Sequence, residues 1–201
     1  MNDDIPFEIK STGTKGLIIE SAYRALLEHG YADLTMQQIG EKLPRSTSII
    51  YTYYDGKEDL LFDLLRHLLQ WLEPEEPVTD ADPHEQLLSQ IGVLLNLTNE
   101  RVDRNGLVTI AVLRANTQQN VRFQEEFERI DTVYKNHFST LIELGIENDR
   151  YRTVDPETVA SYLYSTILGQ IVLSVTTHES GYAASIEHEI KEYIRSRLLR
   201  S

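Results

Sequence analysis

The sequence has no cysteine, which excludes disulfides, thiolate metal sites and a cysteine nucleophile. Lysine is scarce too: Lys10, Lys15, Lys42, Lys57, Lys135 and Lys191 are six of 19 basic residues, set against 32 acidic ones for a formal net charge of -13. Many carboxylates with few lysines resemble the composition of proteins from salt-accumulating cells, and they provide no bulk attraction for nucleic acid. No apolar run approaches the roughly 20 residues that a bilayer-spanning helix needs. The amino terminus, MNDDIPFEIK, is acidic where a signal peptide is basic and then apolar. These features lead to the expectation of a soluble, cytoplasmic protein with no membrane partner. Asn96-Leu97-Thr98 fits a glycosylation pattern, but without a secretory signal it reads as coincidence. Histidines stand singly at 29, 67, 84, 137, 178 and 188. There is no His-Glu-x-x-His spacing, glycine-rich phosphate loop or nucleophile elbow, so neither an enzyme, a metal site nor a cofactor is expected.

What is present is helical periodicity from end to end. With 201 residues, 41% of them hydrophobic, the chain can bury a core and lies at the border between one domain and two. Residues 5–13 read as a frayed arm. Ile18, Ala22, Ala25 and Leu26 mark a first helix over about 14–29, with Gly30 at its carboxyl end. Thr35 stands as N-cap to a two-turn helix carrying Met36, Ile39, Gly40 and Leu43, which Pro44 stops. Ser46 can cap a third helix reaching Tyr53, with Ile50 and Tyr54 facing inward. After Asp55-Gly56, Leu60, Leu61, Leu64, Leu65, Leu68 and Leu72 form a long register that ends in the linker EPEEPVTDADP. Further helices follow around Leu87–Leu95, in GLVTIAVLRAN, and along the stripe Phe123, Phe127, Ile130, Tyr134, Phe138 and Leu141. Two more begin at Asp155-Pro156 and near Ala183. The expected fold is all-α, without strand alternation.

Two short helices joined by a tight turn, with a supporting helix before them, are the sequence picture of a helix-turn-helix. SAYRALLEHGYADLTMQQIGEKLPRSTSIIYTYYDGKEDLL, residues 21–61, resembles the DNA-binding head of the tetracycline-repressor (TetR) family at matching spacings, with the match covering about residues 14–61. Gly30-Tyr31 looks like the Gly-aromatic pair ending the family's first helix. Thr35 stands where a Ser or Thr caps the second helix and touches phosphate. Ile39 and Gly40 fill that helix's apolar and small positions. Ser46 matches the serine opening the recognition helix, Tyr51 its phosphate-contacting tyrosine, and Tyr54 the aromatic that closes it. Lys57 matches a lysine that holds the DNA backbone, and Tyr53 a His or Tyr that also meets phosphate.

The departures are specific. Pro44-Arg45 replaces glycine followed by a buried aliphatic. Burying a guanidinium unpaired there costs several kcal/mol, so Arg45 is expected to turn outward. Thr47 replaces a frequent lysine and Ile49 a frequent threonine. Hydroxyls can donate to phosphate and fix register without reading sequence. Arg45 can approach guanine or a phosphate, and Thr47 and Ile49 can touch a thymine methyl. Residues 1–60 hold six basic and ten acidic side chains, a net of -4, so such contacts act at close range.

The resemblance implies a DNA-binding region over 1–56 and a ligand-binding and dimerisation region over 57–201. The segments 156–178 and 183–199 would pair with those of a second subunit, giving a homodimer on a palindromic double-stranded operator. A small-molecule effector would release the DNA, as in a repressor. Candidate effector contacts are the polar residues set among apolar ones: Arg114, Asn116, Tyr134, His137, Tyr162, Tyr164 and Gln170. Arg114 can clasp a carboxylate or phosphate, or pair with a glutamate of the 125–128 stretch. A second reading stays open: a ligand-binding or protein-interaction dimer with weak or no DNA binding, favoured by the head's charge and the changes at Arg45 and Thr47.

Overall fold

The computed structural model describes residues 12–78, 81–96, 104–116, 120–177 and 182–200. The expected arm before Thr12, Leu97-Thr98 and His178 lie outside the described residues. The order is α1 (Gly13–Asp33), α2 (Met36–Glu41), a 3₁₀ helix (Thr47–Thr52), α3 (Lys57–Leu72), α4 (Pro83–Asn96), α5 (Arg104–Ala115), α6 (Val121–Glu147), α7 (Pro156–Thr176) and α8 (Ala183–Arg197). Among the described residues the β contribution is one isolated antiparallel bridge, Tyr151 with Leu199. The fold is all-helical, as the periodicity required.

Two compact units divide the chain: residues 1–72 with 102–127, and 73–101 with 128–201. In the first, α1 supplies Ile18, Ile19, Ala22 and Leu26, and α3 supplies Leu60, Leu61, Leu64 and Leu65 to a common core. Burying each of these isoleucines and leucines stabilises by about 1.5–3 kcal/mol. Helix α1 breaks at Gly30, whose φ of 73° lies in the left-handed region that favours glycine. Glu58 and Asp59 occupy the first turn of α3, where the helix dipole favours negative charge. Phe62 stacks on Phe123 of α6 with ring centres 6.2 Å apart.

The second unit packs α4, the later turns of α6, α7 and α8 around Leu87, Ile91, Phe138, Leu141, Ile142, Leu163, Ile167, Ile190 and Ile194. Asp155 takes the N-cap position of α7, but its carboxylate receives the Thr158 hydroxyl and caps no backbone N–H. Helix α7 corrects one expectation. No uninterrupted apolar run exists, yet Pro156–Thr176 is long and apolar enough on average to cross a bilayer. The reason is that its interleaved Ser, Thr, Gly, Tyr and Gln are weakly polar, and Glu157 is its one charged residue. Of its most apolar window, 39% is buried in the structure.

After α6 the chain doubles back at Gly145, whose carbonyl accepts from the N–H groups of Arg150 (2.9 Å) and Tyr151 (2.8 Å). The Tyr151 ring is fully buried against Gly145, where an added Cβ would stand 2.2 Å from a ring carbon. The Tyr151 hydroxyl is hydrogen-bonded to His84 Nδ1 at 2.9 Å. Neither ring nor backbone can retreat from a well-packed site. Gly145→Ala is therefore expected to cost about 1–3 kcal/mol, read as a lower urea midpoint with an unchanged slope.

Candidate nucleic-acid interface

The helix-turn-helix is built on one close approach. A Cβ on Gly40 would stand 2.2 Å from Thr47 Oγ1 and 2.4 Å from its Cγ2, so α2 and the 3₁₀ helix come together only because residue 40 has no side chain. Thr35 opens α2 with a complete capping box: Gln38 N–H donates to Thr35 Oγ1 (3.3 Å), and Thr35 N–H donates to Gln38 Oε1 (2.7 Å). The Thr35 hydroxyl itself donates to Gln38 Oε1 at 2.9 Å. Lys42 ties α2 to Glu28 of α1.

The segment expected as an α-helix from Ser46 to Tyr53 is a 3₁₀ helix, Thr47–Thr52. Thr47, Ile49, Ile50 and Thr52 are β-branched and restricted at χ1 in an α-helix, and six residues allow little cooperative gain. Ser46 sits at the N-cap, but its side chain caps nothing and pairs with the Ser48 hydroxyl at 2.9 Å. The last turn relaxes, with Tyr53 N–H and Tyr54 N–H both donating to the Ile50 carbonyl at 3.0 Å. Ile50 and Tyr54 thereby face inward, at 0% and 4% exposure.

Tyr54 anchors this segment. Its hydroxyl donates to Asp63 Oδ2 of α3 at 2.7 Å, and the same oxygen receives Lys15 Nζ of α1 at 2.9 Å. Burial pushes the Asp63 carboxyl up, but the bonds from Lys15 and Tyr54, with the nearby charges of Lys15 and His67, outweigh it and hold the group below its ordinary value. At the other end Lys57 donates to the Tyr31 carbonyl (3.2 Å) and lies over the Tyr31 ring, while the Tyr31 hydroxyl donates to Glu58 (2.9 Å).

Against this frame the outward side chains sort clearly. Arg45 and Ser46 are exposed, Tyr51 and Tyr53 are 60% and 45% exposed, and Ile49 is half-buried. The polar ends of Arg45, Tyr51 and Tyr53 make no hydrogen bond or ion pair among the described residues. Arg45 turns outward, as the cost of burying it requires. Thr47 is half-buried against Gly40, which gives its side chain a packing task.

Residues 18–64 match the family model described as bacterial regulatory proteins, tetR family. A TetR transcription regulator from Haloarcula marismortui is 28% identical, with 92% of this chain and 97% of that one superposing at a TM-score of 0.82. The chain belongs to the TetR family. It is thus a helix-turn-helix transcriptional regulator, of a family that is not enzymatic. The uncharacterized HTH-type transcriptional regulator YhgD of Bacillus subtilis is 23% identical over 75% of this chain and 78% of its own. A transcriptional regulator from Saccharomonospora viridis, solved in complex with choline, shares the fold at 17% identity and a TM-score of 0.77, with 93% of this chain and 98% of that one covered.

The effector candidates of this TetR-family chain fall in both compact units. Arg114 and Asn116 belong to the first compact unit, Tyr134, His137, Tyr162 and Gln170 to the second. Arg114 lies over the Phe127 ring, 4.4 Å from its centre. Asn116 spends its amide on the Val112 carbonyl at 2.8 Å, closing α5. Tyr134 is buried and stacked on Tyr164, whose hydroxyl donates to Asp131 at 2.8 Å. Tyr162 is half-exposed beside Tyr193, and Gln170 is buried in α7. His137 alone among them lines a described cavity, with Pro74, Glu75, Glu76, Pro77, Val133, Asn136 and Thr140.

Sequence reasoning did not find Asp63 or Lys15. They meet Tyr54 across three elements, and no spacing rule connects positions 15, 54 and 63. The pairing of Ser48 with Ser46 was also missed, though an exposed hydroxyl two residues on in a serine-rich stretch was a usable signal.

Two expectations follow from this geometry. Gly40→Ala should cost about 1–3 kcal/mol, and Thr47→Ala should relieve it partly, since the remaining Cβ–Cβ approach is 2.7 Å; urea unfolding of the double-mutant cycle measures this. Asp63 is depressed in the folded state, so its stabilisation is present above its unfolded value and disappears as pH falls through the lower folded one. Asp63→Asn should therefore be less stable than the parent at neutral pH and lose stability less steeply on acidification below about pH 4.

Proposed function

We propose that this regulator is a cytoplasmic homodimeric repressor that binds a palindromic double-stranded operator through residues 1–56 and releases it when a small molecule enters residues 57–201. The observation carrying the DNA half is the set of uncommitted polar ends on one anchored segment: Arg45, Tyr51 and Tyr53, with Ser46 beside them. Tyr51, Tyr53, Ser46, Thr35 and Lys57 are assigned to phosphates. Arg45 and Ile49 are the candidates for base edges, and Thr47 contributes chiefly through the turn that presents them.

Helix α7 supports the dimer. Tyr162, Ser165, Gly169 and Leu173 are exposed at helical spacing along it, leaving an uncharged, weakly polar stripe on a helix that also packs on α4 and α8. A second subunit's α7 and α8, and not lipid, is the proposed cover. Such a dimer presents two recognition segments to successive half-sites. The choline bound by the Saccharomonospora viridis protein supports effector binding here only as an analogy of fold. No cofactor is required, and the carboxylate excess is read as salt adaptation.

The net charge of -4 over residues 1–60 favours the second reading, a dimer with weak DNA binding. Footprinting of DNA flanking the protein's own gene at low and high salt decides between them: a protected palindrome is expected, and protection of none at any salt overturns the repressor. With that operator, Tyr51→Phe and Lys57→Ala should weaken binding by similar factors on cognate and altered sites. Arg45→Ala should cost about 1–3 kcal/mol on the cognate site and flatten the preference among sites; competition binding reads both.

A further inference from the structure

The region assigned to DNA ends at the Asp55-Gly56 turn, and the side chains that hold this turn reach it from the start of α6. Asn120 and Arg122 belong to the same compact unit as the helix-turn-helix. Asn120 opens α6: its carbonyl accepts from Phe123 N–H (3.1 Å) and Gln124 N–H (3.2 Å), and its Oδ1 accepts from Arg122 N–H at 3.1 Å. The Asn120 amide donates to Glu58 Oε2 at 3.3 Å. Arg122 Nη1 donates to Asp59 Oδ1 at 2.9 Å, and its guanidinium lies over the Phe62 ring, 4.0 Å from the ring centre. That ring is stacked in turn on Phe123, which is fully buried.

A guanidinium held by a carboxylate on its edge and an aromatic ring on its face has little freedom. What it holds matters more than its own strength, because Arg122 is exposed and exposed pairs contribute little stability. Asp59 sits at the third position of α3, and its other oxygen, Oδ2, accepts from Asp55 N–H at 3.4 Å. One carboxylate therefore joins α6 to the backbone immediately after Tyr54. Beside it, Glu58 Oε2 takes both Asn120 and the Tyr31 hydroxyl, and Tyr31 supports Lys57 through its carbonyl and its ring. Tyr53 and Lys57, both assigned to phosphates above, flank the turn that is braced in this way.

We propose that Arg122 is a positioning residue of the helix-turn-helix, holding the Asp55–Lys57 turn through Asp59 so that Tyr53 and Lys57 meet the DNA backbone in a fixed register. The brace itself rests on the geometry of the free protein, and its consequence for an operator rests on the DNA-binding reading above. Arg122 makes no contact with DNA. Its charge is committed to Asp59, and its effect passes through the turn.

In the full chain without DNA, native-state amide exchange followed by NMR reads the brace directly. Arg122→Ala should speed exchange at Tyr53, Tyr54 and Asp55 about tenfold more than at the buried α1 residues Ile18 to Leu26, which report global opening. Arg122→Lys keeps an ion pair and loses the stacked plane, so it should fall between the two. On the footprinted operator, Arg122→Ala and Asp59→Asn should each weaken binding about five- to tenfold, with the double variant no weaker than either single one. Asn keeps an oxygen for Asp55 N–H and gives up the charge-assisted bond. Its effect discriminates by sign: removing a carboxylate from an acidic head strengthens DNA binding if bulk charge governs, and weakens it if the pair positions the turn. The slope of log affinity against log salt should keep its parent value in Arg122→Ala, since a lost phosphate contact would reduce it by about one. A modest loss of global stability leaves nearly all molecules folded and cannot weaken operator binding by itself.

Exchange at Tyr53, Tyr54 and Asp55 that rises no more than in α1 overturns the proposal, whatever the protein does on DNA. So does unchanged or tighter operator binding by Asp59→Asn. A reduced salt slope in Arg122→Ala also overturns it, because the guanidinium would then be a direct phosphate contact. Faster exchange at the turn, with no DNA protected by the parent protein, upholds the brace and removes the DNA-binding reading on which its consequence rests.

Discussion

One carboxylate oxygen holds the Thr47–Thr52 segment of the helix-turn-helix in place. Asp63 Oδ2 accepts the Tyr54 hydroxyl and the Lys15 ammonium, so the end of the 3₁₀ helix, the second turn of α3 and the start of α1 meet at one atom. Six residues of 3₁₀ helix have little stability of their own. The segment is fixed from below by the Ile50 side chain, from the side by the Gly40–Thr47 approach, and at its end by Tyr54. What remains free is what points outward. The exposed tyrosines and Arg45 are presented by a base whose own polar groups are already bonded.

Ion pairing also bears on how an acidic chain belongs to a DNA-binding family. Near the helix-turn-helix the carboxylates are largely engaged: Glu20 with Arg24, Glu28 with Lys42, Asp59 with Arg122, and Asp63 with Lys15. Glu58 accepts from the Tyr31 hydroxyl and from Asn120. Pairing of this kind does not make the head basic, and exposed pairs add little stability. It does draw part of the carboxylate charge toward local cations, while Asp33, Glu41 and Asp55 stay exposed with no ion pair among the described residues. Hydroxyl contacts depend on geometry at close range and less on a long-range field that salt screens.

The sequence made the helices legible because burial follows a 3.6-residue period. Leu60, Leu61, Leu64 and Leu65, and later Phe123, Phe127 and Phe138, are buried where the stripe puts them. The helix-turn-helix was legible through spacing, and Arg45 through the cost of burying it. Other features were not. The 3₁₀ geometry of Thr47–Thr52 depends on a balance between β-branching and tertiary anchors that no period encodes, and the same anchors turned Thr47 toward Gly40. Polar residues in apolar stretches stand out as effector candidates. Several owe that position to internal bonds, as with Asn116 on Val112 and Tyr164 on Asp131. His137 differs because its ring nitrogen has no such bond.

Helix α7 shows how composition alone leaves a choice that side-chain bonding narrows. An average hydropathy sufficient for a bilayer fits a membrane span, a core helix or a subunit interface equally well. Three of its hydroxyls are bonded within the helix: Thr166 to the Tyr162 carbonyl at 2.9 Å, Ser174 to Ile171 at 2.7 Å and Thr176 to Val172 at 2.7 Å. A helix that satisfies its own polar groups can be packed on every side without stranding a donor. Part of α7 already faces the core through Leu163, Ile167 and Gln170, which a lipid-surrounded span has no reason to build in a unit of this size. The remaining stripe through Tyr162, Gly169 and Leu173 is narrow, and Gly169 has open space where a side chain would stand. That profile suits close approach by another helix, and it is why the proposed dimer is assigned to this face.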